Sequence, residues 1–135
     1  MRITPDNIQS LNENEIFVFG SNESGIHGGG AAKTALELFG AKSGVGFGPQ
    51  GQSFAIPTKN WRIGRLSPIF IHQYVVRFLA YASLQPELKF YVTEIGCGIA
   101  GYTPEDIAWM FRESMEDENI YLPQRFIDVL NGKDV

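Results

Sequence analysis

Two glycine-rich loops, each lying between a short apolar run and a helix start, constrain this chain more than any other feature. The first follows Ile16-Phe17-Val18-Phe19 and reads Gly20-Ser21-Asn22-Glu23-Ser24-Gly25-Ile26-His27-Gly28-Gly29-Gly30. The second follows Phe90-Tyr91-Val92-Thr93 and reads Glu94-Ile95-Gly96-Cys97-Gly98-Ile99-Ala100-Gly101-Tyr102. Glycine lets backbone N–H groups approach a ligand with no Cβ in the way. Where such a loop enters a helix N-terminus, the unpaired N–H groups and the helix dipole favour an anion, above all a phosphate. Two such loops in one small domain point to a ligand with two phosphates, gripped from both sides.

The charge balance narrows the ligand class. The net charge is −4 over 135 residues, so no general attraction to nucleic acid is expected. Backbone geometry rather than a basic surface must hold the anion, which favours a small nucleotide over a polymer. The length fits a single domain over residues 1–135. One cysteine and two histidines leave no disulfide framework and no metal motif, and no cofactor is expected. There is no apolar stretch of membrane-spanning length and no apolar leader at the N-terminus, so a cytoplasmic protein is the expectation.

The hydrophobic pattern alternates between strand and helix. Residues 1–15 are polar with an amphipathic hint at Ile3, Ile8 and Leu11. Residues 16–19 have the composition of a buried parallel strand. Ala32, Ala35, Leu36 and Phe39 fall on one helical face, with Gly40 as the stop. Residues 44–51 form another glycine-dense loop leading to a strand at 53–56 that Pro57 should end. Ser67-Pro68 is a helix start, and Ile71, Val75, Phe78, Leu79 and Ala82 form its buried stripe before Pro86. Residues 88–93 read as the next strand. Thr103-Pro104-Glu105-Asp106 opens a second capped helix, continued by Ile107, Met110, Phe111 and Met115. A short strand at 120–122 and a helix at 124–131, stopped by Gly132, complete the order. Alternation of this kind predicts an α/β fold of three layers, α/β/α, around a mostly parallel, mixed central sheet. Ligands bind such sheets beyond the carboxyl ends of the strands, where both loops lie.

At these loops the chain resembles the macro domain family. The run strand, Gly20-Ser21-Asn22, turn, Gly28-Gly29-Gly30-Ala31-Ala32, helix is similar to the first ligand loop of that family. Thr93 to Tyr102, followed by Thr103-Pro104, is similar to its second loop. The segment from Gln50 to Lys59 looks like a feature of small bacterial and phage macro-like proteins. The resemblance covers roughly residues 15–115. It implies a macro-domain-like fold that binds ADP-ribose or a derivative, with the diphosphate between the loops. It also implies that an ADP-ribosylated macromolecule is a candidate partner. Some members hydrolyse ADP-ribosyl linkages, which leaves binder and hydrolase both open. By motif, Asn22 matches the residue that contacts the distal ribose. Gly28, Gly29 and Gly30 match the first phosphate loop, and Gly98, Ile99, Ala100 and Gly101 the second, with Tyr102 closing it. The family's adenine-recognising Asp has no clear counterpart; Asp6 is the only Asp upstream of the first loop.

Asn22 and His27 are the candidate catalytic residues, the latter as a general base or a phosphate contact, expected to be accessible among glycines. The ligand-binding set is Gly20, Ser21, Asn22, Gly28, Gly29, Gly30, Lys59, Gly96, Cys97, Gly98, Ile99, Ala100, Gly101 and Tyr102. Cys97, one turn before a helix, is in a setting that can lower a thiol pKa, although a small side chain in a tight loop is the simpler reading. Lys59 is a better phosphate partner than Lys33. Trp61 and Phe47 could stack on a base or belong to the core. Gln50, Gln52 and Thr58 suit sugar hydroxyls, and Glu23 and Glu94 are the only carboxylates inside the loops. Two other readings compete. One is a nucleoside-monophosphate-processing enzyme of the lysine-decarboxylase-like type, whose Pro-Gly-Gly-x-Gly-Thr motif is missing here. The other is a phage-associated structural protein whose loops bind nothing.

Overall fold

The computed structural model describes residues 2–133. Five strands form one mixed sheet in the order β2-β3-β1-β4-β5. They are β1 (Glu15–Asn22), β2 (Gly48–Gln50), β3 (Ser53–Lys59), β4 (Lys89–Val92) and β5 (Ile120–Tyr121). β1 runs parallel to β3 on one side and to β4 on the other, and β4 runs parallel to β5. Only β2 is antiparallel, paired with β3 as an edge hairpin. Four α-helices accompany the sheet: α1 (Gly30–Leu38), α2 (Pro68–Ser83), α3 (Pro104–Ile107) and α4 (Gln124–Leu130).

Strand alternation divides the core between two faces. Phe17, Phe19 and Ala55 point to one face and pack with Ala32, Ala35 and Phe39 of the α1 region. Val18, Phe54, Ile56, Phe90 and Val92 point to the other, with Ile71, Val75 and Phe78 of α2 and Phe126, Ile127 and Leu130 of α4. β1 sits centrally with helices over both faces, so its residues 17–19 are buried throughout.

Four elements differ from the sequence expectation. β1 runs on through Gly20 and Ser21 to Asn22, residues expected to open the first loop. Residues 48–50 form β2 rather than part of a loop. β3 continues through Pro57 to Lys59. Pairing with β2 ends at Gly48 opposite Ala55, and that edge is next met only at Thr58 and Lys59, by Leu66 and Arg65, so Pro57 falls in the unpaired gap, where a missing N–H is tolerated. The helix expected from residue 104 onward is a single α-turn, continued by a 3₁₀ helix from Ala108 to Glu116. Ala108, Phe111 and Ser114, three residues apart, are all buried in it, which is the stripe a helix of three residues per turn produces.

Candidate functional site

Three adjacent parallel strands, β3, β1 and β4, end on the same side of the sheet. The chain leaves β1 toward β3 on one side and returns to β4 on the other, which makes β1 a topological switch point with a crevice beyond its carboxyl end. Three segments crowd there: the first glycine loop after β1, an arm of residues 60–65 after β3, and the second glycine loop after β4. Between them lies a cleft of about 570 Å³, within the usual size of a small-molecule site.

The cleft brings together most of the expected binding residues. Gly20, Ser21, Asn22, Gly28, Gly29, Gly30, Lys59, Gly96, Cys97, Gly98, Ile99 and Ala100 all line it. Thr58 and Glu94 line it too, as do six residues not anticipated for it: Ile26, Ala31, Ala32, Ile63, Thr93 and Ile95. His27, Gly101 and Tyr102 are not among its lining residues.

The first loop is organised by Asn22. Its Nδ2 donates to the Ile26 carbonyl at 2.7 Å, and its Oδ1 accepts from the Ile26 N–H at 2.9 Å and from Ser24 Oγ at 2.8 Å. An Asn side chain bonding its own neighbours in this way fixes the turn. Behind it, the Gly44 N–H donates to the Gly25 carbonyl at 2.9 Å. A Cβ on Gly46 would run into the Asn22 carbonyl oxygen. This folding tucks His27 inward: only 4% of it is exposed. Its Nε2 lies 3.0 Å from the Lys42 carbonyl, and its ring packs edge-on against Phe19 with centroids 5.2 Å apart. The expectation of an accessible His27 is therefore corrected, because the imidazole belongs to the wall behind the loop.

Beyond His27 the backbone opens. Gly29 is the N-cap of α1 in extended conformation with no side-chain cap bond, and the first-turn N–H groups have no partner within the helix. In the second loop the Cys97, Gly101 and Tyr102 N–H groups donate to Glu94, Gly98 and Gly96 carbonyls. The N–H groups of Gly98, Ile99 and Ala100 find no acceptor among the described residues. The loops approach each other closely: a Cβ on Gly29 would stand 3.3 Å from Ile99 Cδ1.

Gly28 and Gly98 are the informative glycines. Neither lies in the left-handed region, and a Cβ built on either meets nothing within 4 Å. Nothing in the folded chain requires glycine at these two positions, and both face the cleft. Gly96, by contrast, has φ +77° and Ile107 Cδ1 3.2 Å from a built Cβ, so its own fold accounts for it.

Tyr102 supports the second loop from behind. It is buried, its hydroxyl donates to the Leu66 carbonyl, and the Arg65 guanidinium lies 3.7 Å from its ring centroid. Glu94 is gripped by Arg125 through two bonds of 2.6 and 2.7 Å, a bidentate charge-assisted pair that fixes the carboxylate's position. The Cys97 thiol is pushed up to about 11, first by burial and then by the Glu94 charge. The loop setting therefore does not lower the thiol pKa, in keeping with the simpler reading of a small side chain in a tight loop. Lys59 is the one cationic side chain among the lining residues.

The remaining candidates serve the scaffold. Glu23 accepts from the Tyr74 hydroxyl at 2.6 Å. Phe47 packs on Phe54 and Tyr74 beneath Arg77. Gln50 bridges the Lys42 N–H and the Val45 and Gly48 carbonyls, and Gln52 reaches the Asn12 carbonyl. Lys33 and Trp61 do not line the cleft. A second cavity of about 180 Å³ adjoins it, lined by Pro5, Asn7, Ile8, Gln9, Phe17 and Thr34 and sharing Ala31 and Thr93 with the cleft. No group of three His, Cys, Asp or Glu side chains able to hold a metal occurs among the described residues, and no helix there is long and apolar enough to cross a membrane.

No protein-family model matches the chain, and no curated protein or solved structure does either.

Proposed function

We propose that this protein binds ADP-ribose or a closely related nucleoside diphosphate derivative in the cleft between its two glycine loops, as a macro-like domain. The reading rests on one observation above all. Gly28 and Gly98 carry no side chain where the fold would accept one, and both line the cleft beside N–H groups with no internal acceptor. A phosphate oxygen lodged against that backbone accounts for both facts.

In this reading the diphosphate lies across the first turn of α1 and the N–H groups of residues 98–100, with Lys59 supplying the one nearby positive charge. The nucleoside end extends past Ala31 and Thr93 into the second cavity, where Asn7 and Gln9 offer amide donors and acceptors to a base. The site reads as a binding site rather than a hydrolytic one. Asn22 has its amide committed to Ile26 and Ser24, His27 stands outside the cleft, and Arg125 holds Glu94. None of these three is poised in the cleft to move a proton.

Calorimetric titration with ADP-ribose tests the proposal, with AMP as the comparison ligand. A dissociation constant in the micromolar range, about −8 kcal/mol, is expected, weakened only modestly by salt. A folded sample that gives no heat up to millimolar ADP-ribose overturns it. Tighter binding of AMP than of ADP-ribose shifts the reading to a monophosphate site.

A further inference from the structure

Ile63 occupies a backbone conformation that its residue type avoids. Its φ is +63°, in the left-handed region where a β-branched side chain is a true outlier. The neighbouring Gly64, which would adopt that conformation freely, does not lie there. The arm is built to hold Ile63 in place. Asn60 Oδ1 accepts from the Arg62 and Gly64 N–H groups at 2.8 and 2.9 Å. The Asn60 N–H donates to the Gly64 carbonyl at 2.7 Å, and the Ile63 N–H to the Asn60 carbonyl at 3.0 Å. The far end of the arm is fixed to the second loop through Leu66 and Arg65 on Tyr102. Burial does not compensate the strain, because Ile63 is 41% exposed. Strain held at a cleft without a packing return is a mark of a functional position.

Ile63 has two companions. Ile26 from the first loop is 59% exposed and Ile99 from the second is 73% exposed, and all three line the same cleft. Three aliphatic side chains, one from each converging segment, thus stay in water beside a row of free N–H groups.

We propose that Ile63, with Ile26 and Ile99, forms an apolar clamp for an uncharged ring of the ligand beyond its phosphates, making the arm of residues 60–65 the specificity element of the site. The proposal rests on the nucleoside diphosphate reading above and adds to it what the second phosphate must carry. A sugar ring sets its C–H face against the isoleucines and keeps its hydroxyls free for the cleft's polar groups. ADP ends at its second phosphate, so it sets no ring against the three side chains, leaves them in water and forgoes the burial that the sugar gains. The site therefore favours a diphosphate esterified by a ring over one ending in phosphate.

The test compares ADP-ribose with ADP by calorimetry on the parent, Ile63→Gly and Ile63→Asn, with a melting temperature for each. Glycine and asparagine both accept the left-handed conformation, so the arm keeps its path while the apolar face is lost. The parent is expected to prefer ADP-ribose at least tenfold. Both variants bring that preference to threefold or less through weaker ADP-ribose binding, with ADP affinity unchanged and melting temperatures at or above the parent's. Retention of the preference in both variants overturns the clamp. So does a parent that binds both ligands equally, in which case the nucleotide reading stands and Lys59 governs that end. Equal loss of both ligands with a lowered melting temperature makes the arm a structural prop and also refutes the proposal. A parent that binds neither ligand removes the nucleotide reading and the clamp with it.

Discussion

Replacing Gly28 and Gly98 with alanine separates a ligand-made need for glycine from a fold-made one. A Cβ at either position meets nothing within 4 Å, and neither backbone lies in the left-handed region. Alanine then restricts the unfolded chain without straining the folded one, which stabilises by about 0.4–1 kcal/mol per site. With an unfolding entropy of roughly 2 cal/mol/K per residue, that raises the melting temperature of a domain this size by roughly 1–4 °C. Binding should move the other way. The added methyl stands where a phosphate oxygen must approach, and losing one charge-assisted hydrogen bond costs about 1.5–3 kcal/mol, roughly ten- to 150-fold in affinity. Scanning calorimetry reads the first effect and titration with ADP-ribose the second. Gly46→Ala is the control: its Cβ would collide with the Asn22 carbonyl, so it should lower the melting temperature. If Gly28→Ala and Gly98→Ala bind as tightly as the parent, no phosphate approaches these loops. If they melt well below the parent, the glycines are structural after all.

Three further outcomes follow from the same geometry. Asn22→Ala removes three loop bonds and should cost about 1–3 kcal/mol, with faster amide exchange across residues 22–28; unchanged exchange would show that Asn22 does not organise the loop. Cys97, with its thiol pushed up to about 11 from 9.0, should react with iodoacetamide at pH 8 roughly a hundredfold more slowly than a free thiol, and ordinary reactivity refutes the burial argument. Burial and bonds to Glu23 and Glu15 push the Tyr74 and Tyr91 hydroxyls up to about 12 from 10.0. The folded state therefore keeps protons that the unfolded state gives up, so this stabilisation is complete below pH 10 and is lost between pH 10 and 12. Urea midpoints measured across that range should fall, and fall less in Tyr74→Phe and Tyr91→Phe.

The order of elements could be read from local pattern because each buried face repeats within its own segment. Phe17 and Phe19 against Val18, or Ile71, Val75 and Phe78 along α2, announce their periods without help from the rest of the chain. The misread elements depend on partners far away. β2 contains a glycine and a proline, and only its pairing with β3 makes it a strand. Pro57 looked like a strand end because nothing local reveals that β2 stops opposite Ala55. The 3₁₀ helix hid behind Met110 and Phe111, which suit either helical period. Its deciding residue, Ser114, is polar and yet buried, donating from Oγ to the Phe111 carbonyl at 2.7 Å.

The candidate site divides along the same line. Glycines at strand ends reveal where a backbone can approach a ligand, so the two loops could be named from sequence. The direction of each side chain could not, since it depends on contacts made across the sheet. His27 sits among glycines in sequence, yet the contact of Gly25 with Gly44 turns it toward Phe19. Ile63 carried no signal at all, because an isoleucine between Arg62 and Gly64 gives no hint of a left-handed backbone. The consequence reaches the chemistry. Side chains chosen for their reactivity, His27, Cys97 and Glu94, are walled off, held protonated or paired, while the groups left open are backbone N–H donors and exposed isoleucines. In the proposed reading, recognition by such a cleft falls to the loop N–H groups, Lys59 and the isoleucines, and the experiments above test it there.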